Sequence, residues 1–430
     1  MSHKLNLKEF SFLVYGLGAS GISVIKYFKK KNFINYFTWD DNPKFKKKFK
    51  SKNTSNINKT FKEVDYIVLS PGISIKNSKH KKKLLKFKKK IITDIDLLYL
   101  SSPGIKSIVV TGSNGKSTTC KIIAHLLKKN GFNVELGGNI GTPVLNLKIK
   151  KNIFLVIEAS SFQLSHSKFI HPDYAILLNI TNDHVDWHGS TQAYIESKLK
   201  IFNLQKKNNF ALVNNNFKEI FNRKKYLSKL VPLKFIDYKK IKSKIKNNYL
   251  TSLTNDENMN FVFSLSKLLK ISKKSFIKSM GSFLGLPHRH EVFLKKKYIT
   301  FINDSKATSF QATKTALASS KNIYWILGGL PKKKDKINLK NLKYNIIKSY
   351  IIGKDINFFK KQLKNKVKFS VEVNLKKAVV SVLKDIRLLK KNKNTVLLSP
   401  SAASFDQFKN FEQRGNVFKK LSRLYVKKFI

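Results

Sequence analysis

Residues 111–119 read TGSNGKSTT, in which Lys116 and Ser117 stand directly behind Gly115. A lysine and a hydroxyl at that spacing can grip nucleotide phosphates and a divalent ion, in loops of the form G-x-x-x-x-G-K-[ST]. The leading glycine of that form is absent: Val110 occupies its place and the nearest glycine is Gly112. The stretch is therefore either a chance GKS in a lysine-rich chain or a shortened phosphate loop. Its flanks favour the loop. The strand-like IKSIVV leads in, and KSTTCKIIAHLLKK leads out with Ile122, Ile123, Leu126 and Leu127 at helical spacing. Backbone N–H groups of Gly112, Ser113, Asn114, Gly115 and Thr118 would then converge on an anion at a helix N-terminus. Lys116 would reach β- and γ-phosphate oxygens, and Ser117 would ligate Mg2+.

Other reactive side chains gather at the ends of strand-like runs. Glu158 closes NIFLVIE and leads into ASSFQ, and His184 lies in NITNDH after DYAILL. A carboxylate and an imidazole there suit a divalent cation beside phosphates, although a lone histidine is more often a plain surface or core residue. Nearer the N-terminus, GLGASG (residues 16–21) follows SFLVY and precedes a helical segment, with Asp40 and Asp41 ending the next strand-like stretch. This is a diphosphate-binding turn in its usual setting, open to NAD, to UDP or another nucleotide sugar, or to a purely structural role. The last third carries NDSKAT after ITFI, GGLPK after NIYWIL and SPSAASFDQFKNF after NTVLL. Their Ser, Thr and Lys side chains suit a small anion such as an amino-acid carboxylate.

The elements that must position these groups alternate between apolar runs of four to six residues and longer helical segments, which predicts α/β domains with largely parallel sheets. Three blocks are separable: 1–98, 99–284 and 285–430. A chain of 430 residues, 42% hydrophobic and 12% aromatic, can build several cores. The 86 Lys and Arg against 25 Asp and Glu give a formal charge of +61. Lysine runs are spread along the whole chain with Asn, Ile and Phe, so a solvated basic surface is favoured over a dedicated nucleic-acid face. One cysteine, Cys120, leaves no disulfide framework and reads as a small core residue. MSHKLNLKEF lacks the apolar core of a signal peptide and no apolar run approaches a membrane span, so no membrane insertion and a cytoplasmic location are expected.

Taken in order, TGSNGKST, EASSFQL, LNITNDHVDWH, LPHR, DSKAT and LSPSAASFDQFKNFEQRG resemble the Mur ligase family, and its D-glutamate-adding members in particular. The resemblance runs from GLGASG to FEQRG, and the shortened G-[ST]-N-G-K-[ST]-T loop is that family's own form. It implies a Rossmann-like N-terminal domain holding a uridine diphosphate, a central P-loop-type ATP-binding domain and a Rossmann-like C-terminal domain. The implied activity joins D-glutamate to UDP-N-acetylmuramoyl-L-alanine through an acyl phosphate, with ATP and two Mg2+ ions (Mn2+ able to replace them), in a monomer that builds cell wall. Residue by residue, the resemblance places Lys116, Ser117, Glu158, His184 and a carbamylated Lys198 at the phosphates and metals. Asn255, Asn258, Arg289 and Asp304 match ATP contacts. Gly18, Ser20, Asp40, Ser70, Pro71 and Gly72 match uridine diphosphate contacts, with Asn139, Ser160 and Gln163 on the sugar-peptide. Lys306, Thr308, Lys332, Ser404 and Phe411 match D-glutamate contacts. Two departures stand out: TNDEN lacks the family's histidine, and GGLPKKKD leaves the glutamate-binding lysine open among Lys332, Lys333 and Lys334. Outside this reading lie a ligase of the same family with another amino acid, an NAD-dependent dehydrogenase, and a basic nucleic-acid-binding protein.

Overall fold

In the computed structural model, residues 6–181, 184–233, 235–247, 249–332, 335–389 and 393–430 are described. Three sheets carry the chain. The first joins β1 (Phe12–Tyr15), β2 (Tyr36–Trp39), β3 (Tyr66–Leu69) and β4 (Ile91–Ile92) in the order β2-β1-β3-β4, all parallel. The second contains β5 (Lys106–Thr111), β6 (Asn133–Gly138), β7 (Ile153–Glu158), β8 (Tyr174–Leu177), β9 (Phe210–Val213) and β10 (Lys229–Pro232). Its order is β10-β9-β8-β5-β7-β6, again all parallel. The third comprises β11 (Glu291–Lys296), β12 (Ile299–Asn303), β13 (Ile323–Gly328), β14 (Ile346–Ile352), β15 (Phe369–Val373) and β16 (Asn394–Leu398), in the order β11-β12-β16-β13-β14-β15. Among the described residues only β11 runs antiparallel to its neighbour there. The architecture is α/β with Rossmann-like and P-loop-type sheets.

Central strands read as unbroken apolar runs because helices cover both their faces. Every residue of β7 (IFLVIE) and of β13 (IYWILG) is buried, whereas the edge strands β10 and β15 are only partly so. Such strands leave their polar groups for the loops at their carboxyl ends, which is where ligands bind in open α/β sheets.

The chain divides into two compact units. One holds residues up to 246 together with Glu257–Gly281, and the other holds Asn247–Asp256 with Ser282–Ile430. The first two sheets both belong to the first unit and share one apolar cluster, running from Phe12, Val14 and Phe28 to Val109, Leu155, Ile157 and Val213. In the second unit, clusters around Tyr324, Val382 and Phe418 and around Trp325, Leu327 and Phe359 pack its sheet. Among the described residues no helix is long and apolar enough to cross a membrane.

Candidate active site

The TGSNGKSTT stretch folds as a strand–loop–helix. β5 ends at Thr111, and helix Lys116–Lys129 starts after Gly115, whose φ of +85° lies in the left-handed region. A Cβ at Gly115 would also press on Asn258 Oδ1, the end of a side chain, so the left-handed backbone is the stronger reason for glycine there. Loop amides are held from β8's side of the sheet. Ser113 N donates to Asn179 O at 2.8 Å and Asn114 N to Asn179 Oδ1 at 2.9 Å. Lys116 Nζ lies along the loop, donating to Gly112 O at 2.8 Å and Ser113 O at 2.9 Å. Ser117 and Thr118 are buried in the first helical turn. Cys120 is wholly buried, and burial pushes its thiol well above the ordinary range.

Glu158 pairs in register with Val110, so its side chain stands next to the start of the loop. It is 2% exposed; Oε1 accepts from Asn139 Nδ2 at 2.8 Å, while Oε2 is buried with no hydrogen-bond donor. An unpaired buried carboxylate oxygen is costly unless a cation meets it. Lys198, in helix Thr191–Leu199, is 1% exposed, donates to Gly112 O at 2.8 Å and lies 4.6 Å from the Tyr194 ring centroid. In a chain this rich in solvated lysines, burial sets Lys198 apart and places it against the phosphate loop. Tyr194, to which no role was assigned, donates to or accepts from Ser113 Oγ at 2.7 Å and packs 6.4 Å from the His184 ring. His184 has φ +54° and is exposed, its ring 4.6 Å from Phe162. Neighbouring His188 is held neutral, its pKa lowered to about 4 by burial and then by the charges of His184 and Lys198. Among the described residues no three His, Cys, Asp or Glu side chains form a ready-made metal site.

The remaining first-unit assignments lie in loops with internal duties. Ser160 and Gln163 are buried and form a capping box on helix Ser161–His166, and Gln163 Nε2 reaches Asp94 Oδ1 at 3.4 Å. Gly18 caps helix Ala19–Lys30 and Ser20 is half-buried in its first turn. Asp40 is buried, with Oδ2 accepting from Leu17 N at 2.6 Å and Oδ1 from Asn42 N at 2.8 Å. Ser70 Oγ donates to Gly16 O at 2.7 Å, and Pro71 and Gly72 follow towards the surface. The glycine-rich turn and the loop after β3 thus meet at the point where strand order reverses. Asn258 is buried on helix Asp256–Leu268, its Oδ1 accepting from Thr119 Oγ1 at 3.1 Å.

In the second unit, Asn255 Nδ2 donates to Tyr249 O at 2.8 Å, and Arg289 is half-buried. Asp304 follows β12. Burial raises its pKa to about 7, against hydrogen bonds from Ser399 Oγ at 2.8 Å and His290 N at 3.0 Å and the charge of Arg289. Lys306 Nζ stands 3.7 Å above the Phe411 ring, a cation–π pair that brings two expected glutamate contacts together. Thr308 is half-buried beside Ser309, the cap of helix Phe310–Ala318, and Ser404 is buried. Lys332 is exposed; Lys333 and Lys334 lie outside the described residues. Arg414 was missed by sequence reasoning although its motif was noticed. It is 1% exposed and donates to Ser305 Oγ at 3.0 Å, Ser305 O at 2.8 Å and Ala402 O at 3.0 Å. One guanidinium therefore ties the loop after β12, the loop after β16 and helix Phe411–Phe429.

The Mur ligase middle domain family model matches residues 110–284. The UDP-N-acetylmuramoylalanine–D-glutamate ligase of Rickettsia felis is 36% identical, over 95% of this chain and 96% of the relative. That of Rickettsia prowazekii is 35% identical, over 95% and 97% respectively. Among solved structures, the MurF ligase of Thermotoga maritima in complex with ADP superposes with a TM-score of 0.57 at 17% identity, covering 98% of this chain and 99% of that one. At that identity the likeness is one of fold.

Proposed function

The chain belongs to the Mur ligase family, and we propose that it joins D-glutamate to UDP-N-acetylmuramoyl-L-alanine at the expense of ATP, in the cytoplasmic synthesis of peptidoglycan precursors. The observation that carries this reading is the full-length similarity to D-glutamate ligases, combined with the buried Glu158 oxygen beside a lysine-bearing phosphate loop. In functional terms residues 1–98 would take the uridine diphosphate, 99–284 ATP, and 285–430 the amino acid, in a monomer.

The chemistry brings two anions together, a carboxylate oxygen and the γ-phosphorus of ATP. The carboxylate displaces ADP to give an acyl phosphate. The amine of D-glutamate then adds to the acyl carbon, and the tetrahedral intermediate expels phosphate, leaving an amide. Lys116 and the N-terminus of helix Lys116–Lys129 would neutralise phosphate charge, which is the largest service such a site can render. Ser117, Glu158, His184 and a carbamylated Lys198 would hold Mg2+, which lends further positive charge to the phosphoryl oxygens. Asn139, Ser160 and Gln163 would orient the sugar-peptide. Lys306, Thr308, Lys332, Ser404 and Phe411 would receive D-glutamate, with Arg414 tying the loops of Lys306, Thr308 and Ser404 to the helix of Phe411.

Purified protein given ATP, Mg2+ and UDP-N-acetylmuramoyl-L-alanine is expected to release phosphate with D-glutamate well above any other amino acid. A preference for a different amino acid would refute the acceptor assignment; NAD(P) reduction or tight, salt-sensitive nucleic-acid binding without phosphate release would refute the reaction class.

A further inference from the structure

Glu257 has no part in the assignments above, yet its carboxylate is half-buried and fully engaged. Oε2 accepts from Asn179 Nδ2 at 2.7 Å and Oε1 from Asn214 Nδ2 at 3.3 Å. Asn179 lies just beyond β8 and Asn214 just beyond β9, neighbouring parallel strands, so one carboxylate ties two adjacent strand ends. Asn179 is also the residue that holds the phosphate loop, through Ser113 N on its main-chain oxygen and Asn114 N on its Oδ1. The residue after Glu257, Asn258, accepts from Thr119 Oγ1 in the helix that the loop opens.

An asparagine side chain has a donor end and an acceptor end, and reversing it would present an NH2 group to the Asn114 N–H. A carboxylate accepts only, so it favours Asn179 in one orientation: Nδ2 donating to Glu257 and, at 3.3 Å, to Asn114 O, with Oδ1 accepting from Asn114 N. We propose that Glu257 is a positioning residue for the nucleotide, fixing the Asn179 side-chain amide and through it the Asn114 backbone of the phosphate loop. The inference rests on that loop being the ATP site. Glutamine at 257 would keep the size and remove the selection, because an amide can offer either end.

The test is Glu257→Gln in the full chain, read by ADP titration calorimetry and by the KM of each substrate. Losing a charge-assisted hydrogen bond predicts about a tenfold weaker ADP affinity and a similarly raised KM for ATP. The KM values of the nucleotide-sugar and amino-acid substrates should stay within about twofold. In an Asn179→Ala background the same change should add less than about twofold, because the relay is already cut. Unchanged ADP affinity, an equal shift for all three substrates, or full additivity with Asn179→Ala would each overturn the proposal. Thermal unfolding shows whether Glu257→Gln is folded; if it is not, Glu257→Asp, which is too short to bridge both asparagines, is put to the same criteria. The titration needs no acceptor. Wild-type protein that binds ADP but makes no amide with D-glutamate would defeat the proposed reaction and leave the relay standing.

Discussion

The chain contains two glycine-rich strand-to-helix turns in its first unit, GLGASG after β1 and TGSNGKSTT after β5, and they are built to different ends. At the first, a Cβ on Gly21 would overlap the Gly16 carbonyl oxygen, so the helix start packs tightly on its own turn. The nearby acid, Asp40, accepts a backbone N–H of the turn, and no lysine stands inside it. Such a turn offers an anion backbone amides and a helix end, enough for binding. The second turn adds Lys116 within the loop, buried Lys198 beneath it and the unpaired Glu158 oxygen beside it. Fixed charges of both signs, partly removed from water, are what phosphoryl transfer needs and what simple binding does not. The glycines and a buried acid are common to both turns; the lysines and the unpaired carboxylate oxygen are found at the second, which is why we propose it as the reacting one.

The comparison is broken most directly at Lys116. Lys116→Ala should lower kcat by about 10³-fold while leaving uridine diphosphate binding intact, as measured by phosphate release and by ligand titration. Lys198→Ala should come next, nearly abolishing turnover, with partial recovery when a short carboxylate such as acetate is added. Full activity in that variant would remove Lys198 from the reacting site. Arg414→Ala removes a buried cation with three hydrogen bonds, and should destabilise the second unit by about 2–4 kcal/mol. It should also raise the KM for the amino acid more than that for ATP. Gly21→Ala should raise the KM for the uridine nucleotide severalfold through displacement of the first turn, leaving the KM for ATP unchanged.

The smallest expected effect is a pH slope. Asp304 has its carboxyl raised from 3.8 to about 7 by burial. The folded state then holds a proton that the unfolded state has released, so this group's contribution to stability is full below about pH 4 and is lost as pH rises to about 7. Asp304→Asn should flatten that part of the pH profile of the unfolding midpoint relative to the wild type. An equal slope in both proteins would show that Asp304 ionises as an ordinary carboxylate.

How far the sequence carried these points differs by element. Central strands such as β5, β7, β8, β13 and β16 were legible because burial on both faces leaves a continuous apolar run. The strands that escaped notice, β4, β6, β10, β11 and β15, all lie at sheet edges, where half-exposed sequences such as KLVP and FSVEV carry little signal. The phosphate loop was legible from its flanks. The burial of Lys198 was not, because a lysine among 86 basic residues looks solvated until the tertiary fold closes around it. Arg414 and Asn179 lay inside motifs already noticed, but their work is to bind backbone groups remote in sequence. Ser305 is 109 positions from Arg414, and local pattern has no access to that pairing.

On the proposed reading, the second turn aims a γ-phosphate at a carboxylate. This is tested most directly with UDP-N-acetylmuramoyl-L-alanine labelled with 18O in the alanine carboxylate, turned over with ATP and D-glutamate, and the released phosphate analysed by mass spectrometry. An acyl phosphate requires one labelled oxygen to pass into phosphate at each turnover. Product formed with unlabelled phosphate would contradict the account.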